Sequence, residues 1–417
     1  MRASTATSRE PLRIAHVINE PFGPESANGV QQVVYCLANA LAETGFLVAV
    51  FSREGGGVHE LGRGAAAISP LAATRAVTRG RSARQRLLSR YFEADLAETL
   101  LAWRPDIVHF HSVHIVANIA LAACLAQAGV PYCVTVHGGL FRAALRRGWL
   151  KKTILHLVAE RHYLNGALLV HALSPAEADV IRRHGVRRSI VVVPNGLPPA
   201  AGVRPSRPEA LYEQWAWLRG QKVFMFIGRL DPWQKGLDLL IKAFAHASLH
   251  DAALVLIGPD CRGSRRRLED LAGRLGVARE VLFAGPAFGD ERANLFAAAD
   301  VFVHPSRWEG QSLSVLAAAA AGKPCLITRQ ADPMGQLERA EAAIVVDPTV
   351  SSIAGGLRRA AMLLEQERQT MGEHARQVAD AHFNWRSIAE TLADRYRSAL
   401  ENARVPHLDQ TSRQLQS

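Results

Sequence analysis

The chain predicts an α/β protein in which two doubly wound parallel sheets face one another across a cleft, and three observations predict it. Short apolar runs bounded by turn residues recur along the 417 residues. Amphipathic stretches of helical length separate them. One Pro-rich, charged stretch divides the pattern into two similar halves, and alternation of this kind implies parallel strands covered by helices.

In the first half the apolar runs are residues 14–18, 48–51, 107–110, 132–136, 168–171 and 190–193. The first intervening helix places Val30, Val33, Val34, Leu37 and Leu41 on one face. Residues 198–221 contain nothing that reads as a buried strand and form the expected linker. In the second half the runs are 223–227, 254–257, 281–284, 301–304, 325–328 and 343–346, and residues 317–321 are an alanine run suited to tight helix packing. The expected organisation is a flexible start at 1–12, a first domain at 13–197, the linker, a second domain at 222–384, a helix at 385–403 and a polar tail at 404–417.

Composition narrows the function classes. Apolar residues make up 48% of the chain, enough for more than one core, and the formal charge of +11 attracts anions without choosing among them. Residues 1–13 lack the apolar core of a secretory signal, and the apolar stretch 115–130 is interrupted by Asn118 and Gln127, so the expectation is a cytoplasmic protein. The five cysteines form no CxxC pair and read as reduced thiols. Neither an RRM nor a zinc-finger pattern occurs, so no nucleic-acid partner is expected. There is also no Walker loop and no DxD metal-bridging motif.

Two segments of the second half carry chemistry. Residues 227–244, IGRLDPWQKGLDLLIKAF, end a strand at Gly228 and bring Arg229 and Lys235 close enough to share one diphosphate. Fixed cations in a dry cleft stabilise the charge that a departing nucleoside diphosphate gains. Residues 304–328, HPSRWEGQSLSVLAAAAAGKPCLIT, place Glu309 just before an alanine-rich helix. The amides of Gly310, Gln311, Ser312 and Leu313 would open that helix and face an anion. Glu309 beside them is better suited to sugar hydroxyls than to phosphate.

Together these segments resemble glycosyltransferase family 4, and the resemblance extends over nearly all of residues 13–400. It implies the GT-B fold, two Rossmann-like domains about an interdomain cleft, with a nucleotide-sugar donor on the second domain. In the first domain NGVQQVVYCLANALAETGFLVAVFS is similar to the family's glycine loop, helix and second strand, with Gly29 approaching the donor. VTVHGG matches the strand that ends in a histidine near the reacting carbon, which makes His137 the corresponding residue. His109 and His111 read as packing or cleft-lining residues rather than metal ligands. VVVPNG resembles the segment that closes the first domain, and Phe383, Asn384 and Trp385 introduce the helix that crosses back onto it, with Ile388, Leu392, Tyr396 and Leu400 on one stripe.

The resemblance implies transfer with retention and without a metal, through front-face substitution, with Glu309, His137, Arg229 and Lys235 at the reacting centre. No cofactor is expected. The donor is a UDP-, GDP- or ADP-sugar, and the acceptor a glycan or lipid-linked sugar in cell-surface or exopolysaccharide assembly. One position departs from the family: Ala317 stands where a second glutamate usually holds the ribose, which keeps open a catalytically impaired nucleotide-sugar-binding protein. The same fold also serves epimerisation and phosphorolysis. Two basic stretches, 75–90 and 142–152, fall in the acceptor half. The second, with interleaved Leu, Phe and Trp, could lie on an anionic surface at the inner face of the plasma membrane or be a solvated helix face.

Overall fold

The computed structural model describes residues 11–19, 29–52, 57–61, 94–146, 155–197, 209–287 and 289–404. The basic stretch 75–90, residues 147–152 of the second, Asn28 of the glycine loop, the linker residues 198–208 and the tail 405–417 lie outside the described residues.

The first sheet contains β1 (Arg13–Ile18), β2 (Leu47–Ser52), β3 (Gly57–Leu61), β4 (Ile107–His111), β5 (Tyr132–Thr135), β6 (Leu169–Ala172) and β7 (Ile190–Val192), in the order β3-β2-β1-β4-β5-β6-β7. The second contains β8 (Lys222–Ile227), β9 (Ala252–Ile257), β10 (Val281–Gly285), β11 (Val301–His304), β12 (Cys325–Thr328) and β13 (Ala343–Val346), in the order β10-β9-β8-β11-β12-β13. Central strands such as β4, β9 and β11 are buried along their whole length, which is why β9 reads as an unbroken apolar run and the other two as apolar runs carrying only histidine as a polar residue.

Both sheets reverse their winding once. The reversal falls between β1 and β4 in the first and between β8 and β11 in the second. Crevices at the carboxyl ends of such strand pairs are where ligands bind in doubly wound folds.

The pairing is parallel throughout except at β3, which runs antiparallel to β2 at the sheet edge. The sequence expectation of parallel strands alone missed it, because GVHEL at 57–61 is too polar to read as a buried run.

The linker is shorter than expected. Residues 209–221, assigned to it from their charge and proline-rich context, instead hold the helix Ala210–Gln214 and the 3-10 turn Ala216–Leu218. Leu211 and Leu218 are buried in the core of the second domain, so that domain begins before β8.

The last helix, Trp385–Arg404, does cross to the first domain. Ile388, Ala389, Leu392, Ala393 and Tyr396 join the cluster formed by the helix Gly29–Glu43 and β1. Trp385 anchors the crossing: its indole Nε1 donates to the Leu197 carbonyl at 2.6 Å, and the ring leaves no room for a side chain at Gly196. Among the described residues no helix is long and apolar enough to cross a membrane.

Candidate functional site

A cavity of about 710 Å³ lies between the domains, at the carboxyl ends of the strands where both sheets reverse. Gly29, His137, Arg229, Lys235, Glu309, Gly310, Gln311, Ser312 and Leu313 all line it, so the candidates from the two halves meet in one place.

The centre of the second-domain wall is Glu309. Its Oε1 accepts from Lys235 Nζ at 2.6 Å, Ser306 Oγ at 2.7 Å and His304 Nε2 at 3.1 Å. Burial alone would raise this carboxyl, but the Lys235 ammonium and the His304 hydrogen bond hold it well below the usual carboxylate range. The carboxylate is therefore ionised though only 7% exposed. With Oε1 saturated, Oε2 is the oxygen left for the cavity.

The loop that carries Arg229 and Lys235 is shaped by Asp231, whose Oδ1 accepts from the amides of Trp233 and Gln234. Gly236 ends it at φ 68°, where a side chain would strike the Pro305 carbonyl. Arg307 ties this loop to the Glu309 loop. Its guanidinium makes two 2.8 Å bonds to Asp238, donates to the carbonyls of Pro232 and Trp233, and lies 4.6 Å over the Trp233 ring. Arg229 is exposed at the rim and donates to Gln234.

The amides expected to open the next helix are redistributed. The helix is Leu313–Ala320 with Ser312 as its N-cap, and the Ser312 hydroxyl takes up the Val315 amide. Leu313 and Ser314 therefore supply the first-turn amides at the cavity. Gly310 and Gln311 line the cavity ahead of the helix and also meet the first domain. Gly310 packs its backbone against Gly138 of the first domain, where an added Cβ would come within 3.1 Å of the Gly138 amide nitrogen. Gln311 Oε1 accepts the Asn195 amide at 2.5 Å. Both are contacts between domains.

In the first-domain wall His137 follows β5 at φ 51°. Its turn is held by Glu177, a buried carboxylate that accepts from the amides of Gly138 and Leu173. Gly29 opens its helix opposite Leu313, where an added Cβ would meet that side chain at 3.8 Å.

His109 and His111 are fully enclosed behind His137 rather than at the cavity surface. With His16 of β1 they offer ligand atoms within 4.8 Å of one another. Both ring nitrogens of His109 and of His111 already have hydrogen-bond partners, however.

Ala317 is buried in the apolar core and is not among the cavity residues. Sequence reasoning passed over Arg262, Arg292, Trp233 and Trp308, which line the cavity. Arg262 precedes a basic run, Arg265 to Arg267, and Arg292 stands alone, and neither belongs to a motif. Only the tertiary fold brings them to the site.

Two facing doubly wound domains with a cation-lined cavity between them define the GT-B architecture. Residues 27–201 match the model of Glycosyltransferase Family 4 and residues 209–378 that of Glycosyl transferases group 1, so the chain belongs to the family 4 type of glycosyltransferase. A glycosyltransferase of Methanocaldococcus jannaschii is 33% identical over 184 residues, 43% of this chain and 46% of that protein. D-inositol 3-phosphate glycosyltransferase 2 of Catenulispora acidiphila is 28% identical over 293 residues, 66% and 67% of the two chains. The match thus spans less than half the length of the first relative. Among solved structures, sucrose-phosphate synthase from Thermosynechococcus elongatus superposes with a TM-score of 0.73 at 22% identity, covering 94% of this chain and all of that one. Anabaena HepE in complex with UDP and glucose gives 0.70 at 19% identity, covering 93% and 100%.

Proposed function

We propose that the protein is a retaining glycosyltransferase that moves a sugar from a nucleotide-sugar donor to a glycan or lipid-linked acceptor without a metal ion. The observation that carries this reading is the Glu309 carboxylate, buried and kept ionised by Lys235 at the wall of an interdomain cavity. A cavity of this size suits a nucleotide-sugar.

In this reading the donor diphosphate lies between Arg229, Lys235 and the first amides of the helix Leu313–Ala320, which carry the positive end of its dipole. As the glycosidic bond breaks, the leaving diphosphate gains charge that these fixed groups stabilise without reorganisation. Glu309 Oε2 accepts from a donor-sugar hydroxyl, and His137 hydrogen-bonds the sugar or the leaving phosphate from the opposite wall. The acceptor hydroxyl attacks the same face, and a phosphate oxygen takes its proton. Arg262 and Arg292 extend the cationic lining beyond the loop cations. UDP is the first nucleotide to try, given the UDP in the Anabaena structure.

Nucleotide release from a panel of UDP-, GDP- and ADP-sugars, with and without EDTA, tests the reading. Release from one donor, insensitive to EDTA and lost in Lys235→Ala, supports it. Absence of both release and any Lys235-dependent thermal shift across the panel rejects it.

A second reading, a nucleotide-sugar-binding protein without turnover, is favoured by Ala317, which presents no carboxylate to a ribose. Thermal shifts without release, in the presence of candidate acceptors, would select it. We place the enzyme at the cytoplasmic side of the plasma membrane, in surface-polysaccharide assembly, with the basic residues of its acceptor half toward anionic lipid. Co-sedimentation with anionic vesicles tests that placement.

A further inference from the structure

Behind the cavity the first domain buries four histidines, His16, His109, His111 and His171. With His137 at the cavity wall they form two hydrogen-bonded chains, His16–His111–His137 and His171–Thr135–His109–Tyr396. A neutral imidazole donates from one nitrogen and accepts at the other, so each hydrogen bond in such an array restricts the next. Burial lowers the pKa of each ring, to about 3 for His16 and His137 and about 4 for His171, so all five are neutral near pH 7.

One branch has a single solution. The Val193 carbonyl can only accept, so His171 carries its proton on Nε2, 2.7 Å away. His171 Nδ1 then accepts from the Thr135 hydroxyl at 2.7 Å, Thr135 Oγ1 accepts from His109 Nε2 at 2.5 Å, and His109 Nδ1 accepts from the Tyr396 hydroxyl at 2.7 Å. Every group is satisfied, from the crossing helix to the end of β7.

The other branch runs His16 Nδ1 to His111 Nε2 at 3.0 Å and His111 Nδ1 to His137 Nε2 at 3.0 Å. It can point either way. Its far end, His16 Nε2, is buried with no hydrogen-bond partner among the described residues. If protons point toward the interior, that atom carries an N–H with no acceptor, a kind of orphan that is rare inside proteins. If they point toward the cavity, it is an unused lone pair, and His137 Nδ1 carries the proton. The cavity favours the second direction as well, because a site lined by Arg229, Lys235 and helix amides gathers oxygen acceptors.

We propose that His16 and His111 are positioning residues that fix His137 with its proton on Nδ1, so that the cavity meets a hydrogen-bond donor and not a base. This rests on the glycosyltransferase reading for its consequence, but the tautomer itself does not. A donor at this position can follow an oxygen as it gains charge, whereas a lone pair would repel it. A metal ion on His16, His109 and His111 would have to displace existing hydrogen bonds of the latter two, and the geometry assigns them to the array instead.

The test is long-range 1H–15N correlation on the full chain labelled with 15N-histidine, with His137 assigned from the His137→Asn spectrum. Wild type should show His137 protonated on Nδ1. In His111→Phe it should become a mixture or move to Nε2, and in His111→Asn, whose amide can still donate to His137 Nε2, it should return to Nδ1. His16→Leu, remote from the cavity, supplies the same test if His111→Phe does not fold. In the transfer assay kcat should fall by about tenfold or more in His111→Phe, with donor KM changing less, and recover in His111→Asn. Wild-type His137 protonated on Nε2, a tautomer unchanged in both His111→Phe and His16→Leu, or one divalent ion per chain lost on mutating His16 would overturn the proposal. The spectra need no substrate, so a failed glycosyltransferase reading would appear separately, as absent turnover with the tautomer in place.

Discussion

Lys235 Nζ and Glu309 Oε1 lie 2.6 Å apart, joining the loops that follow β8 and β11 with both side chains largely buried. The pair neutralises a carboxylate that also takes hydrogen bonds from Ser306 and His304. A diphosphate entering the cavity would put a second anion beside the same ammonium, so in the proposed reading Lys235 would serve structure and binding together.

Removing Lys235 alone should therefore destabilise the protein. Lys235→Met strands a buried carboxylate, a loss of about 3–5 kcal/mol. Lys235→Met with Glu309→Gln removes the charge on both sides and should recover most of that stability while nucleotide release stays absent. Urea denaturation of the two variants beside a release assay checks this, and equal stability of single and double variants would contradict it.

Acid should unfold the protein earlier than carboxylates alone would require. His16, His137 and His171 have folded values of about 3, 3 and 4 against 6.5 when free, and burial also lowers His109 and His111. For a group with a depressed folded value the stability is fully present above the free value and is lost as pH falls toward the folded one. Each such histidine contributes a slope of up to about 1.4 kcal/mol per pH unit in that window. Glu309 adds its own loss only below its free value of 4.5. Denaturant midpoints at pH 7.5, 6 and 5 should drop steadily. A flat profile over that range would mean the rings are not buried as neutral species.

Arg307 should matter for donor binding more than for chemistry. It holds Asp238 and the carbonyls of Pro232 and Trp233 but is not a cavity residue. Arg307→Ala loosens the loop that aims Arg229 and Lys235, so donor KM should rise about tenfold while kcat changes less. Steady-state kinetics on the identified donor separates the two, and a loss confined to kcat would rule against this role.

What could be read from the text depended on how local its cause is. Strands such as β9 are legible because burial on both faces makes them uniformly apolar. The edge strand β3 and the five-residue helix Ala210–Gln214 are not, since GVHEL has a weak pattern and ALYEQ is too short for a period. Glu309, Lys235 and Arg229 stand out as motif residues on two compact loops. The Arg307 to Asp238 clamp spans 69 residues and has no local mark. His16 is one histidine in an apolar strand, and its place beside His111 exists only once β1 pairs with β4. The contacts of Gly310 and Gln311 with the first domain exist only once the two domains meet, which no helix-start rule contains.

That contact yields the last prediction. Gly138 and Gly310 bring the two domains backbone to backbone, and a Cβ added at Gly310 would sit 3.1 Å from the Gly138 nitrogen and 3.2 Å from the His137 carbonyl carbon. Gly310 is not in the left-handed region, so alanine there is not strained by its own backbone. Its cost falls on the separation of the domains. Gly138 is a poorer probe, because φ 75° would strain any side chain as well. In Gly310→Ala the two cavity walls should part by a few tenths of an ångström at this point, moving His137 away from Glu309. Catalysis that depends on a dry, closed cleft is sensitive to such displacements, and kcat/KM should fall by about tenfold to a hundredfold. Hydrolysis of the donor relative to transfer should rise as water gains access, while thermal stability stays near wild type. Measuring free sugar and transferred sugar from the same reaction reads both effects. Unchanged partitioning with unchanged kcat/KM would mean that the working, donor-bound cleft does not close through the Gly138 and Gly310 contact.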